Sequence, residues 1–492
     1  MRASHSTSFC AAFLAASVAG CAVGPNFTPP NPDLPPAWSA DAQAGAGQVV
    51  ATSTDAGVAA WWTSFNDPEL TSLIDRVAAA NLDARQALLR IAEARAQRDI
   101  VAAGEGPAVN ANASAQINRL SETTPTGALF SKVGQFPGLS GVSIPNPYDQ
   151  YQAGFDVSWE IDLFGRVRRS VEAAKALSQA SVEDSRAVLI STLGDVGHAY
   201  IDLRGAQAKR RIVEENVATE RDLLDLAAQR RRAGLNTEID VARAAAEASS
   251  SAAALPLLNR QITQDINQLS KLMDQTPGAL RAELDRAPAT VADPPLAPIG
   301  LPAQLARRRP DIREAEARLH AATAQVGVAV ADLYPRVTLN ANGGLQAETV
   351  SLLSNWASRF LVAGPSVELP IFDAGRRRAT VRLQSVRAAE AVIDYRRTVL
   401  GALHEVDDAL AAYGADQQRR QALTDTVVRN GDAADLARQR YASGVASFID
   451  VLDAERVLEQ NELTLADSST AVSIDLVVLY KALGGGWPAT EG

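Results

Sequence analysis

The chain states one long pattern twice. Ser158-Trp-Glu-Ile-Asp-Leu-Phe-Gly-Arg166 returns as Ser366-Val-Glu-Leu-Pro-Ile-Phe-Asp-Ala-Gly-Arg376, and Gly234-Leu-Asn-Thr-Glu-Ile-Asp-Val241 returns as Gly444-Val-Ala-Ser-Phe-Ile-Asp-Val451. Arg166 and Arg376 lie 210 positions apart, and so do Gly234 and Gly444. A repeat this long, mixing strand-like and helix-like parts, implies one architecture with internal pseudo-symmetry. Neither copy has the makings of a domain that closes its own core.

The strand-like parts come first in each copy. From Tyr151 to Asp162 the odd positions are Tyr, Ala, Phe, Val, Trp and Ile, and the even ones Gln, Gly, Asp, Ser, Glu and Asp. Period two over such a stretch predicts a strand with one apolar and one polar face. Weaker alternation predicts partners over 108–119, 336–346 and 360–372, with the Gly/Pro/Ser-rich stretch 120–150 as a long hairpin loop. Pro365 and Pro370 weaken the fourth strand, though edges and bulges tolerate proline. Each strand has the length a tilted membrane strand requires. A half-buried strand of a soluble sandwich alternates in the same way, but no further strands are present to form its second sheet.

The rest reads as helix. No proline interrupts 165–234 or 375–444, and about 70 helical residues span roughly 100 Å. Asp67 before Pro68 predicts an N-cap, with its helix running to about Ala103. Val451, Leu458, Leu465, Val472 and Leu479 recur every seventh position, which marks coiled-coil-like packing. An aromatic content of 5% suits long helices better than several compact cores. The Arg307 to Arg309 run reads as a solvated helix start. The expected division is 1–20 a signal peptide, 21–66 an extended tether, 67–276 the first repeat, 277–302 a connector, 303–484 the second repeat and 485–492 a tail.

A short apolar run from Phe9 to Gly20 is too short to cross a bilayer and reads as a secretory signal. It ends in Val18-Ala19-Gly20-Cys21, a lipobox-like pattern in which the Cys21 thiol accepts diacylglycerol. Palmitate and the other acyl chains of that N-terminal lipid are the only covalent group expected, and no other cofactor or metal is. Cys10 and Cys21 are the only cysteines, so no disulfide is expected after processing. No later segment offers about 18 consecutive apolar residues, so any membrane crossing is by strands. The net charge of −10, with dispersed basic residues, argues against nucleic acid as a partner. Scattered histidines and the lack of a nucleophile–base or phosphate-loop pattern argue against an enzyme.

Four amphipathic strands cannot close a barrel, and an open edge in lipid leaves unpaired backbone groups costing several kcal/mol each. Several chains must pool their strands, and three supply twelve, an even number within the range of membrane barrels. Asp156, Glu160 and Glu368 then line a wet lumen.

Cys21-Ala-Val-Gly-Pro-Asn-Phe-Thr-Pro-Pro30, Trp61-Trp62, Arg307-Arg-Arg-Pro-Asp-Ile312, Leu333-Tyr-Pro335 and the two echoed motifs resemble those of the TolC-like outer-membrane factor family. The likeness is greatest to its lipoprotein branch serving RND-type efflux pumps, the OprM/NodT-type branch. The resemblance implies a mainly α fold: a trimeric twelve-stranded outer-membrane β-barrel, four strands per chain, continuous with a long periplasmic α-helical barrel. It implies a passive exit duct for drugs or other small molecules, in the outer membrane, with a periplasmic adaptor protein and an inner-membrane RND-type pump as partners. Gly234, Leu235, Gly444 and Val445 match the helix-turn-helix tips that face the adaptor. Asp450 and Asp453 match the acidic periplasmic constriction, with Asp240 and Tyr441 as further gate residues. Ala446 stands where the family carries an arginine, so a latch through that position is not implied. The rival expectation is a lipid-anchored periplasmic coiled-coil scaffold or adaptor without a pore.

Overall fold

The computed structural model describes residues 22–31, 34–36, 38–39, 49–50, 58–133, 136, 145–285, 297–298 and 308–487. The expected signal peptide, the lipid-attachment residue Cys21, Arg307, much of the 277–302 connector and residues 488–492 lie outside them. Among the described residues the longer helices are α1 (Pro68–Ala80), α2 (Leu82–Ala102), α3 (Arg166–Arg232), α4 (Glu238–Ala252), α5 (Leu255–Leu272), α6 (Pro310–Ala331), α7 (Arg376–Ala442) and α8 (Phe448–Ala482). The principal strands are β1 (Ala108–Asn118), β2 (Tyr148–Ile161), β3 (Arg336–Ala347) and β4 (Arg359–Glu368). The chain forms two compact units.

The first unit gathers the stretch up to Thr28, Ala94–Ser178 and Arg318–Ala391. Its sheet is antiparallel throughout, in the order β1-β2-β3-β4, so β1 and β4 are open edges. Register carries the period-two pattern across all four strands. Val109 faces Val157, Val157 faces Ala341, and Ala341 faces Ala363. Asn110 faces Asp156, which faces Asn342 on the opposite, polar face. Val109, Phe155, Leu339, Leu361 and Val367 are all exposed on the apolar face. An exposed apolar face of this extent marks a surface built to be covered by lipid or protein. β4 stops at Glu368, short of the expected Phe372, because Pro370 cannot donate to the ladder. The residues after Cys21 are docked instead of free: Val23 N–H donates to the Phe164 carbonyl at 3.0 Å, and Phe27 stacks on His320 at 4.3 Å.

The described residues of the second unit, Pro29–Glu93, Gln179–Ala317 and Val392–Gly492, are mainly helical, with one short parallel pairing of Val49–Val50 with Ala297–Pro298. Asp67 caps α1 by accepting from Glu69 and Leu70 N–H at 2.9 and 3.2 Å, with Pro68 leading the helix. The uninterrupted helix expected to Ala103 breaks at Asn81, whose ψ is 132°. Asn81 Oδ1 accepts from Ala84 N–H at 3.0 Å and starts α2, while its Nδ2 donates to the Leu272 carbonyl at 2.8 Å. A distant acceptor thus converts a helical position into a cap.

Trp61 corrects the expected tether. It is 2% exposed, stacked 5.8 Å from Tyr480, and fills a notch at Gly197. A Cβ at Gly197 would lie 2.5 Å from the Trp61 ring, so only glycine lets α3 approach this closely. Burying a large aromatic outweighs the local tendency of a Pro- and Gly-rich stretch to stay extended.

Arg309 is likewise buried, where a solvated helix start was expected. It pairs with Asp311 and Glu405 at 2.7 Å each and donates to the Ala482 carbonyl at 2.9 Å, capping the end of α8. The seven-residue series along α8 faces the packing, with Val451, Val472 and Leu479 fully buried and Leu458 and Leu465 half-buried. By length and composition alone α8 passes as a membrane span, but these burials assign much of its apolarity to helix contacts.

Candidate functional site: the paired helix tips

Both 67-residue helices end in the same way. Gly234 and Gly444 adopt φ of 74° and 77°, the left-handed region in which a side chain is strained. Gly234 N–H donates to the Arg231 carbonyl and Leu235 N–H to that of Arg230. In the second tip Gly444 N–H donates to Tyr441 and Val445 N–H to Arg440. These paired bonds are a Schellman motif, and they satisfy the last carbonyls of α3 and α7. The chain then re-enters a helix through a capping box: Thr237 with Asp240 at α4, and Ser447 with Asp450 at α8.

The reversal exposes four apolar side chains at equivalent places, Leu235 and Ile239 in the first tip and Val445 and Ile449 in the second. Behind them lies a small core of Leu223, Ala227 and Ala244 from the first tip with Tyr441, Phe448, Val451 and Leu452 from the second.

Tyr441 ties the tips together. Its hydroxyl accepts a 2.6 Å hydrogen bond from Asn236 Nδ2, and its ring lies 5.3 Å from Phe448. The Arg230 guanidinium sits 4.5 Å over the ring and also donates to the Tyr441 carbonyl at 3.0 Å. Arg231 and Glu238 pair at 2.5 Å across the first turn.

The acidic residues have local duties. Asp240 accepts from Thr237 N–H at 3.0 Å and from its hydroxyl at 2.8 Å. Asp450 accepts from Ser447 N–H at 2.9 Å. That backbone bond, with the serine hydroxyl, holds the exposed Asp450 carboxyl below the usual carboxylate range. Asp453, also exposed, pairs with Arg456 at 3.2 Å. The structure therefore brings Tyr441 to the first tip and leaves Asp450 and Asp453 facing solvent on α8.

Further up the helices lies a set of acids that motif reading missed. Glu220 of α3 is 5% exposed, and Ser251 of α4 donates to it at 2.9 Å while also meeting Glu459 of α8 at 3.3 Å. Burial pushes the Glu220 carboxyl up to about 7, with the Glu459, Glu247 and Glu455 charges adding to the effect. Burial raises Glu459 and Glu462 as well. Across α7 and α8, Asp475 is driven up to about 7 by burial and by its contact with Asp416. Each falls on an otherwise unremarkable helical position. Arg230 and Asn236 carry as little local sign, since their partners on the second tip lie more than 200 positions away.

Known proteins resemble this chain over nearly its whole length. A family model described as outer membrane efflux protein matches residues 73–275 and 301–485. Outer membrane protein OprJ of Pseudomonas aeruginosa is 34% identical over 481 residues, 97% of this chain and 95% of that protein. The toluene efflux pump outer membrane protein TtgF of Pseudomonas putida is 32% identical, covering 96% of each. The structure of the outer-membrane channel OprN, 35% identical, superposes with a TM-score of 0.84 over 95% of this chain and 100% of that one. The open state of the Neisseria gonorrhoeae MtrE outer membrane channel, 27% identical, gives 0.81 over 95% and 99%.

The chain belongs to the outer membrane efflux protein family. It is an efflux channel of the Gram-negative outer membrane, not an enzyme.

Proposed function

We propose that three copies of the chain pool their sheets into a twelve-stranded barrel continuous with a barrel of their long helices. The assembly is the passive exit duct of a tripartite efflux system, taking drugs or other small molecules from an inner-membrane RND-type pump to the exterior. The observation that carries this reading is the four-stranded sheet itself. It has two open edges, one exposed apolar face and one polar face bearing Asp156 hydrogen-bonded to Asn110 and Asn112 at 3.0 and 2.8 Å. Unpaired edges are intolerable in lipid, and closure with further copies removes them.

The exposed apolar tips at Leu235 and Val445, with Gly234 and Gly444 making the turns, support docking of a periplasmic adaptor there. Threefold repetition of Asp450 and Asp453 supports an acidic, cation-preferring aperture, with Asp240 and Tyr441 holding its walls. The lipobox-like Val18–Cys21 supports a lipid anchor on Cys21, and the docking of Val23 just after it fits an N-terminus held beside the sheet.

Single-channel recording of the purified protein in a planar bilayer tests the duct. Cation-selective conductance that rises when Asp450 and Asp453 are replaced together is the expected result. A protein that never conducts in either form, and is monomeric by mass, rules the duct out and leaves a scaffold.

A further inference from the structure

From the internal repeat we infer the residue-by-residue register of the seam between copies: β4 of one subunit pairs antiparallel with β1 of the next, setting Ser366 opposite Asn110 of the partner subunit. This rests on the pooled-sheet reading above and goes beyond it, because pooling alone leaves the register open.

Two short identities align the hairpins. Ser158 and Glu160 of β2 recur 208 positions later as Ser366 and Glu368 of β4, and Asn110-Ala111-Asn112 of β1 recurs 230 positions later as Asn340-Ala341-Asn342 of β3. The structure supplies an independent check on both offsets. In the first hairpin Ala108 pairs with Ser158, and in the second Thr338 pairs with Ser366, which are their equivalents under those offsets. Asn110 with Asp156 and Asn340 with Gly364 agree in the same way. The two hairpins are thus copies in register as well as in sequence.

The chain also contains one joint between hairpins, β2 against β3, where Ser158 pairs with Asn340, Asp156 with Asn342 and Trp159 with Leu339. A ring of alternating hairpins must make a second joint, β4 against β1 of the next copy. If the ring is quasi-symmetric, that joint repeats the first. Carrying the offsets over sets Ser366 against Asn110 of the partner subunit, Gly364 against Asn112 of the partner subunit, and Val367 against Val109 of the partner subunit.

The chemistry fits. The faces stay matched, since valine meets valine on the apolar side, and a slip by one residue would turn every side chain to the wrong face. Across the internal joint the Ser158 hydroxyl donates to Asn340 Oδ1 at 3.2 Å, while Asn340 Nδ2 is engaged within its own strand by Thr338. Asn110 differs in detail, its Nδ2 being committed across its own hairpin to Asp156 at 3.0 Å, but its Oδ1 is likewise the acceptor left for the Ser366 hydroxyl of the neighbour. The seam therefore carries the same serine–asparagine bond on its polar face as the joint already made.

Disulfide cross-linking in outer-membrane preparations of the full chain tests this. Directly opposed positions bring Cβ atoms to about 4.5–5.5 Å, within a small backbone adjustment of the roughly 3.5–4.5 Å a disulfide spans, whereas diagonal ones two residues away are about 7–8 Å apart and out of reach. Ser366→Cys with Asn110→Cys, and separately Gly364→Cys with Asn112→Cys, should give a ladder of linked dimers and trimers on non-reducing gels. The diagonal pairs Ser366→Cys with Asn112→Cys and Gly364→Cys with Asn110→Cys should lose it. A Cβ at Gly364 meets nothing within 4 Å, so this second pair does not depend on how position 366 tolerates change. Stronger linking of a diagonal pair overturns the register while leaving the trimer intact. No linking by any pair in a protein that is trimeric by native mass overturns the seam itself. A parent protein that is monomeric by native mass overturns both the seam and the pooled barrel.

Discussion

Asn236 Nδ2 donates a 2.6 Å hydrogen bond to the Tyr441 hydroxyl, joining two helix tips that are 205 residues apart in sequence. Arg230 holds the same tyrosine from its ring face and at its carbonyl, so the two reversals of the chain behave as one clasp. Any movement that separates the tips must break this set, and the set is easily edited.

Tyr441→Phe keeps the ring in its core and removes only the hydroxyl. The expected loss is about 1 kcal/mol of stability, the worth of one hydrogen bond, together with a higher open probability in single-channel recordings. Tyr441→Ala also leaves a cavity among Leu223, Phe448 and Val451 and should cost about 3–5 kcal/mol, read as a lower melting temperature. Equal open probability in Tyr441→Phe and wild type would remove the clasp from gating.

Asp450 has two separable properties, a charge and a capping bond. Asp450→Asn retains an oxygen that accepts from Ser447 N–H, so the melting temperature should stay close to wild type while cation selectivity falls. Asp450→Ala should lose the cap as well, at about 1 kcal/mol. Reversal-potential measurements in a salt gradient separate these. Unchanged selectivity in Asp450→Asn would leave Asp450 as a helix cap alone.

Gly197 and Gly234 test space against backbone conformation. Gly234→Ala has free space around it, and its cost is the left-handed φ, about 1–2 kcal/mol. Gly197→Ala meets the Trp61 ring and must displace it, an overpacking cost of about 1–3 kcal/mol. Trp61 fluorescence should shift in Gly197→Ala and not in Gly234→Ala; the same spectrum in both would contradict the notch.

Glu220 makes stability pH-dependent. Its folded pKa of about 7 lies above the 4.5 of an unperturbed glutamate, so the folded state binds the proton more tightly. That contribution is complete below about pH 4.5 and is lost as pH rises through about 7, with an upper size on the order of 3 kcal/mol. Glu220→Gln, a permanent mimic of the protonated acid, should raise the melting temperature at pH 8 and flatten its fall between pH 5 and pH 8. A variant as pH-sensitive as wild type would place the titration elsewhere, with Asp475 the next residue to change.

Local patterns were legible wherever a residue's role depends on its neighbours in sequence. The alternation from Tyr151 to Asp162 needs only the pleat, and the helix start at Asp67-Pro68 needs only a capping carboxylate followed by a proline. The proline-free stretches became helices of 67 residues each for the same reason. Asn81 was misread because its side chain is claimed by the Leu272 carbonyl, an acceptor that exists only after folding. Trp61 looked like part of a linker because its pocket is assembled from α3 and α8.

The sequence by itself determined a twofold-repeated chain of amphipathic strands and very long helices, since periodicity, caps and the lack of proline act over a few residues at a time. Only the tertiary structure decided that Tyr441 is clasped from the first tip, that Glu220 and Glu459 crowd around Ser251, and that Arg309 closes α8 instead of meeting water. Burial and charge pairing depend on distance in space, and residues hundreds of positions apart acquire it only when the helices pack.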